Sequence, residues 1–143
     1  MPTNGRRRAD LLCDTSVAIA LVLADHEHHA VAVDAVASAT LGLAGHAAFE
    51  SYSVLTRLPP PARRTPATVG RLLEQEFPAS HFLSDAGAAS LHARLAEIGI
   101  AGGAVYDALV AAAASEAEVP LLSLDRRAAD TYRILGVECA LIG

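Results

Sequence analysis

Short apolar runs of strand length alternate with longer stretches of helical spacing along this chain. That alternation limits its fold more than any other feature. The runs are Ala9–Cys13, Leu41–Ala44, Ser80–Leu83, Pro120–Leu124 and, as an edge, Val137–Ala140. Strands interleaved with helices build parallel sheets, because a parallel neighbour is reached only by a crossover that leaves the sheet and returns to it. Helices are expected over Ser16–Leu23, His28–Ala39, His46–Leu58, Thr65 to about Phe77, Asp85–Ile98, Gly103–Glu118 and Asp125–Leu135. Their ends carry chemical signals. Asp14, Thr15 or Ser16 can cap the first. Pro59-Pro60-Pro61 stops the third by removing backbone donors, and Thr65-Pro66 opens the fourth. The expected class is α/β around a parallel sheet.

At 143 residues, the chain is expected to be one domain, 1–143, with 1–8 as a mobile tail. Hydrophobic residues make up 52% of it and charged ones 19%, below the roughly 25% of ordinary soluble domains. The excess calls for a well-filled core and a further buried interface between chains. Asp107 and Glu116 break the longest apolar stretch, so no membrane span is expected. The basic start is followed by an apolar run that stops at Asp14, which makes a poor secretory signal and points to the cytoplasm. Cys13 and Cys139 then read as buried free thiols. The net charge of −5 argues against general polyanion binding. Yet all 11 basic residues are arginine, and six fall in Arg6-Arg7-Arg8, Arg57 and Arg63-Arg64. They are either solvated or poised for bidentate contacts with phosphate near an acidic pocket.

Asp14, Glu50, Asp107 and Asp125 each stand alone in apolar surroundings. An unpaired buried charge costs several kcal/mol, roughly, even after relaxation. Singly, each has a plain explanation. Asp14 and Asp125 can be helix caps, and Glu50 shares a polar stripe with His46, Ser53 and Arg57. Asp107 resists this, because its helical neighbours are Gly103, Val110 and Ala111. Together they fit one place: the carboxyl edge of a parallel sheet, where strands turn into helices and ligands bind. Converging carboxylates need protons or a cation to offset their repulsion. A hard ion with oxygen ligands, Mg²⁺ or Mn²⁺, suits them and would support in-line hydrolysis of a phosphodiester.

The stretches Leu-Cys-Asp14-Thr15-Ser16-Val-Ala, Glu50-Ser-Tyr-Ser-Val-Leu-Thr-Arg57-Leu-Pro, Tyr106-Asp107-Ala108-Leu109 and Leu-Ser123-Leu-Asp125-Arg126-Arg127 resemble, in order and spacing, the PIN-domain ribonucleases. The resemblance is closest to the VapC-type toxins of bacterial toxin–antitoxin pairs and runs from Asp10 onward. It implies a three-layer α/β/α sandwich and endonucleolytic cleavage of RNA with Mg²⁺ or Mn²⁺. Carried over, Asp14 and Asp107 are metal ligands, and Glu50 and Asp125 complete the catalytic, metal-binding set. Ser16 and Ser123 orient ligands or water, and Arg57, Arg63 and Arg64 are candidate RNA contacts. The resemblance also implies a homodimer and a cognate antitoxin whose arginine or lysine pairs with the acids. Many relatives carry Thr where Ser123 stands. Some carry a fifth acid where this chain has Arg126, Arg127, Ala128 and Ala129 before Asp130.

Other chemistries fit less well. His26-Glu27-His28-His29 lacks the i, i+4 histidine pair of a helical zinc site and has no nearby cysteine, so it reads as a solvated helix start. The absence of lysine excludes a Walker A loop. Gly99-Ile-Ala-Gly102-Gly103 has the wrong spacing for a dinucleotide fingerprint. A dehalogenase-type phosphatase would need a second acid where Ser16 stands, and a lysine. A catalytically inactive PIN-like binding module is disfavoured because all four acids are present.

Overall fold

The computed structural model describes residues 8–143. The expected tail, Arg6 and Arg7 included, falls outside the described residues up to its last position. That position, Arg8, is exposed and donates to the carbonyls of Ala117 (3.2 Å) and Glu118 (2.9 Å).

Among the described residues, four strands form one sheet: β1 (Leu11–Cys13), β2 (Leu41–Leu43), β3 (Leu121–Ser123) and β4 (Cys139–Leu141), in the order β2-β1-β3-β4. Every pairing is parallel. Seven helices connect them: α1 (Thr15–Val22), α2 (His29–Val36), α3 (His46–Thr56), α4 (Pro66–Glu76), α5 (Asp85–Arg94), α6 (Ala104–Ala117) and α7 (Arg126–Ile134). The strand period of two sorts the core into two layers. Leu12 and Leu121 face one way and meet the alanine-rich side of α6, with Ala128 and Tyr132 of α7. Cys13, Leu43 and Leu122 face the other way and meet Val17, Ala18, Val36 and Phe77. This is the α/β/α sandwich. The alanines at 111, 113 and 114 are buried, and their small side chains let α6 lie close to the sheet. A third cluster of Leu91, Ile100 and Ala108 fixes α5 on the outside of α6.

Caps account for several helix starts. Asp14, Thr65, Ser84 and Asp125 each accept a hydrogen bond from a first-turn amide of α1, α4, α5 and α7. Gly45, at φ +50° before α3, has no room for a Cβ: Ala113 Cβ would lie 2.9 Å away.

Two strand expectations are corrected. Ser80–Leu83 forms no strand, only a parallel bridge between His81 and Ala44. The cause lies in β2. The segment passes so close to Gly42 that a Cβ there would run into Ala79 O, and Leu43 N donates to Ser80 Oγ (2.9 Å) rather than to a backbone carbonyl, so the ladder is interrupted there. The edge strand begins at Cys139 rather than Val137. Val137 instead closes the end of α7 by donating its amide to Tyr132 O (3.3 Å), after the positive-φ turn at Gly136.

Candidate active site

Asp14 follows the last residue of β1 and Asp125 stands two residues beyond β3, the adjacent central strand. Asp14 is 3% exposed. Its Oδ1 accepts from Ser16 Oγ (2.5 Å) and Val17 N (3.2 Å), and its Oδ2 from the Tyr132 hydroxyl (2.9 Å). Burial pushes its carboxyl above the usual range, and the neighbouring hydroxyls and the Val17 amide oppose that rise. Ser16 Oγ also accepts from Leu124 N (2.9 Å), tying the end of β1 to the end of β3. Ser123 Oγ accepts from Asp125 N (3.0 Å), which fixes the turn carrying the second acid. The two serines therefore position backbone and carboxylate.

Asp125 Oδ1 accepts from Arg127 N (2.9 Å) and Ala128 N (3.3 Å). The capping explanation thus holds for both Asp14 and Asp125, and it coexists with their convergence, because each cap engages one oxygen. Asp125 Oδ2 meets no donor among the described residues. Glu50, exposed on α3, accepts from Thr15 Oγ1 at 2.5 Å through Oε1. One helical turn earlier, His46 stacks on Tyr106, with ring centroids 5.0 Å apart, so α3 is held against the start of α6 beside Asp107.

Asp107 is half-buried, and among the described residues its carboxylate has no hydrogen-bond donor and no ion pair. Burial first, then the charges of Asp125, Glu50 and Asp14, push its carboxyl above the usual range. The charge of Arg127 opposes that rise. The chain therefore brings the four acids within electrostatic reach of one another. They do not form a tight cage: among the described residues, no three Asp, Glu, His or Cys side chains are grouped closely enough to hold one ion. Their donor set still fits a hard cation. It is all carboxylate oxygen, Asp107 has no competing donor among the described residues, and Mg²⁺ needs only one or two carboxylates when waters complete its shell.

The loop arginines make local contacts. Arg63 Nε donates to Leu58 O (2.8 Å) and Arg64 Nη1 to Ala62 O (3.1 Å), so both fold back onto their own loop. Arg57 ends α3 and is exposed. Three functional contacts were not assigned from sequence: Tyr132 on Asp14, Thr15 on Glu50 and Arg127 near Asp107. Tyr132 did leave a signal. It lies on the buried side of α7 with Ala128, and a buried phenol needs a partner.

The profile of the PIN domain matches residues 11–134. Ribonuclease VapC27 of Mycobacterium tuberculosis is 48% identical over 127 residues, covering 89% of this chain and 93% of that protein. Ribonuclease VapC40 of the same species is 44% identical over 130 residues, covering 90% and 96%. Among solved structures, Mycobacterium tuberculosis VapC20, described as a sarcin–ricin loop cleaving toxin, superposes with a TM-score of 0.66. It is 17% identical and covers 84% of this chain and 93% of that one. A chain from FitAB bound to an IR36 DNA fragment superposes with a TM-score of 0.64 at 16% identity, covering 92% and 94%. At such identities these two likenesses speak for the fold, while the sequence matches speak for descent. The chain belongs to the PIN-domain family, in its branch of VapC-type ribonucleases.

Proposed function

We propose that this chain is a metal-dependent endoribonuclease and the toxin of a toxin–antitoxin pair. Its relatives VapC27 and VapC40 are named ribonucleases. The observation that carries the site assignment is Asp107, a half-buried carboxylate that faces three other acids and has no donor among the described residues. Asp14 and Asp107 would hold Mg²⁺ or Mn²⁺, with Glu50 and Asp125 completing the acidic set. When bound, the ion supplies charge to the phosphoryl oxygen and acidifies a water.

The rest is work for the chain itself. Asp14 is immobilised by Ser16, Val17 and Tyr132, so it presents a fixed anion. Thr15 occupies one oxygen of Glu50, and the cap of α7 occupies one of Asp125. The second oxygen of each remains to orient a water or take its proton. Fixed groups of this kind cost no reorganisation when charge develops at the reacting phosphate.

A cognate antitoxin, a homodimer and a cytoplasmic setting belong to the same reading, as does a single domain spanning 1–143. For the antitoxin, a cleft of about 370 Å³ between α3 and α4 carries Phe49 and Tyr52, with Phe82 at its rim. Phe49 and Phe82 are 66% and 48% exposed and meet edge to face with centroids 5.9 Å apart. Exposed aromatic side chains beside an acidic site suit a partner segment that adds a basic side chain to the acids. Among the described residues no helix is long and apolar enough to cross a membrane.

The test is cleavage of RNA with Mg²⁺ or Mn²⁺ by the wild type, Asp14→Asn and Asp107→Asn. Loss in both variants is expected, and equal activity in all three would sink the assignment. Hydrolysis of phosphomonoesters without RNA cleavage would point to a phosphatase instead. Co-expression with the neighbouring reading frame, read as co-purification and relief of growth arrest, tests the antitoxin.

A further inference from the structure

A second cleft, of about 460 Å³, opens beside the acids and includes Asp125 in its lining. Its floor includes Thr15 and Ser16, the residues that hold Glu50 and Asp14. One wall is Arg126 and Arg127 at the start of α7, next to Asp125; the other is His26, Glu27 and His28 in the turn between α1 and α2, so two carboxylates share the lining with two guanidinium groups and two imidazoles. We propose that this cleft is a phosphate subsite, which takes a backbone phosphodiester of the RNA strand next to the one being cut. The proposal rests on the ribonuclease reading above and adds the direction in which the strand leaves the acids.

The acids and the net charge of −5 repel an RNA strand, so countercharge has to sit beside the site. Arg63 and Arg64 each give one N–H to a carbonyl of their own loop and do not line this cleft. Arg126 is exposed and has no ion-pair partner among the described residues. Arg127 is 94% exposed, and its Nε lies 3.8 Å from Asp125, too long for a tight pair. Two neighbouring guanidinium groups that are free to turn suit phosphate oxygens, which they can grip through paired N–H donors.

On the histidine wall, His28 Nε2 lies 3.6 Å from Glu27 Oε1, which leaves His26 to face an anion. His26 Nδ1 accepts the amide of His28 (3.0 Å), so in the neutral ring the hydrogen sits on Nε2, which remains a donor for an anion. The rings of His26 and His28 lie 5.7 Å apart. His29 acts elsewhere, since its Nδ1 lies 2.8 Å from Ala20 O and pins α2 to α1. The histidine run is therefore divided between an anchor and a cleft wall.

The test is binding of a fluorescein-labelled oligouridylate to the full chain by anisotropy, with chelator present so that nothing is cut. It is measured between about 50 and 200 mM salt. Arg126→Ala/Arg127→Ala should weaken binding several-fold. It should also flatten the log Kd against log salt line by about 0.7 for each phosphate no longer neutralised. The double lysine variant should recover the slope, because charge sets it. Arg133→Ala, further along α7 and paired with Asp130, should change neither quantity. An unaltered slope in the double alanine variant, or an equal loss in Arg133→Ala, would overturn the subsite. The nuclease reading fails separately. A wild type that binds with this arginine-dependent slope but cuts no RNA with Mg²⁺ or Mn²⁺ would leave the subsite standing alone. RNA cleavage with an unaltered slope would leave only the nuclease.

Discussion

The phenol of Tyr132 on α7 donates to Asp14 Oδ2 at 2.9 Å, joining the last helix to the end of the first strand inside the core. The bond does two jobs, since it satisfies a buried hydroxyl and holds a candidate metal ligand in one orientation. Tyr132→Phe deletes the donor with little change of volume. Hydrogen bonds to charged groups contribute about 1.5–3 kcal/mol, so the variant should lose stability of about that size at neutral pH. Removing a donor to a carboxylate also favours its protonated form, so the acidic limb of the rate profile should move to higher pH. Urea unfolding and a pH–rate profile check both. A variant matching the wild type in stability and profile would mean the bond is dispensable.

Asp14 and Asp107 both have carboxyls raised by burial, and in Asp107 also by the neighbouring acids. A raised folded pKa means that the folded chain binds more protons than the unfolded one between the two values. Their contribution to stability is therefore full below the ordinary carboxylate range and is lost as pH rises through the raised values. The metal-free protein should lose stability from this source as pH rises above the ordinary carboxylate range. Asp107→Asn should reduce that loss and stabilise the metal-free chain at neutral pH. Ligand binding to the folded state raises Tm by mass action, so Mg²⁺ should raise Tm in the wild type and much less in Asp107→Asn. Thermal melts with and without Mg²⁺ at several pH values make the comparison. A variant that keeps both the pH slope and the Mg²⁺ gain would exclude Asp107 as a ligand.

What could be read from the chain beforehand follows from which forces are local. Caps and breakers act within a few residues, so the seven helices stand close to where Ser16, Thr65, Pro59 and Asp125 put them. The acids were legible because an isolated carboxylate among apolar neighbours is conspicuous, and strand-end placement follows from topology. The loss of the Ser80–Leu83 strand was not legible, because it depends on the Ser80 hydroxyl meeting the Leu43 amide beside Gly42, where segments distant in sequence meet. The same holds for Tyr132 on Asp14 and Thr15 on Glu50, since both partners meet only after the sheet has formed. The hydrogen bonds of Arg63 and Arg64 to loop carbonyls were equally illegible, since clustering in sequence does not set them.

Ser51, next to Glu50 on α3, is fully buried, and among the described residues its hydroxyl has no hydrogen-bond partner. An unsatisfied buried hydroxyl costs about 1–3 kcal/mol, and alanine favours the helix more than serine. Ser51→Ala should therefore stabilise the chain by about 1 kcal/mol, read as a higher urea midpoint with an unchanged slope. RNA cleavage should stay near wild type, because Ser51 touches none of the acids. A clear loss of stability would mean that the hydroxyl finds a partner in solution.

Gly42 supplies the sharpest steric test. A Cβ at this position in β2 would run into Ala79 O and Ala79 C and lie 2.7 Å from Ser80 N. All three are backbone atoms, so no side-chain rotation relieves the clash. The segment is tied on both sides: Ala79 N donates to Leu41 O (3.0 Å), His81 N to Leu43 O (3.1 Å), and the His81 ring pairs with Glu116 Oε2 at 2.7 Å. Overpacking typically costs about 1–3 kcal/mol, and Gly42→Ala should lose at least that amount. Because the strain falls on 79–81, amide exchange at Ala79 and His81 should speed up more than exchange in β1 or β3. Wild-type stability, with protection at these two amides intact, would show that the crossing is looser than the observed distances.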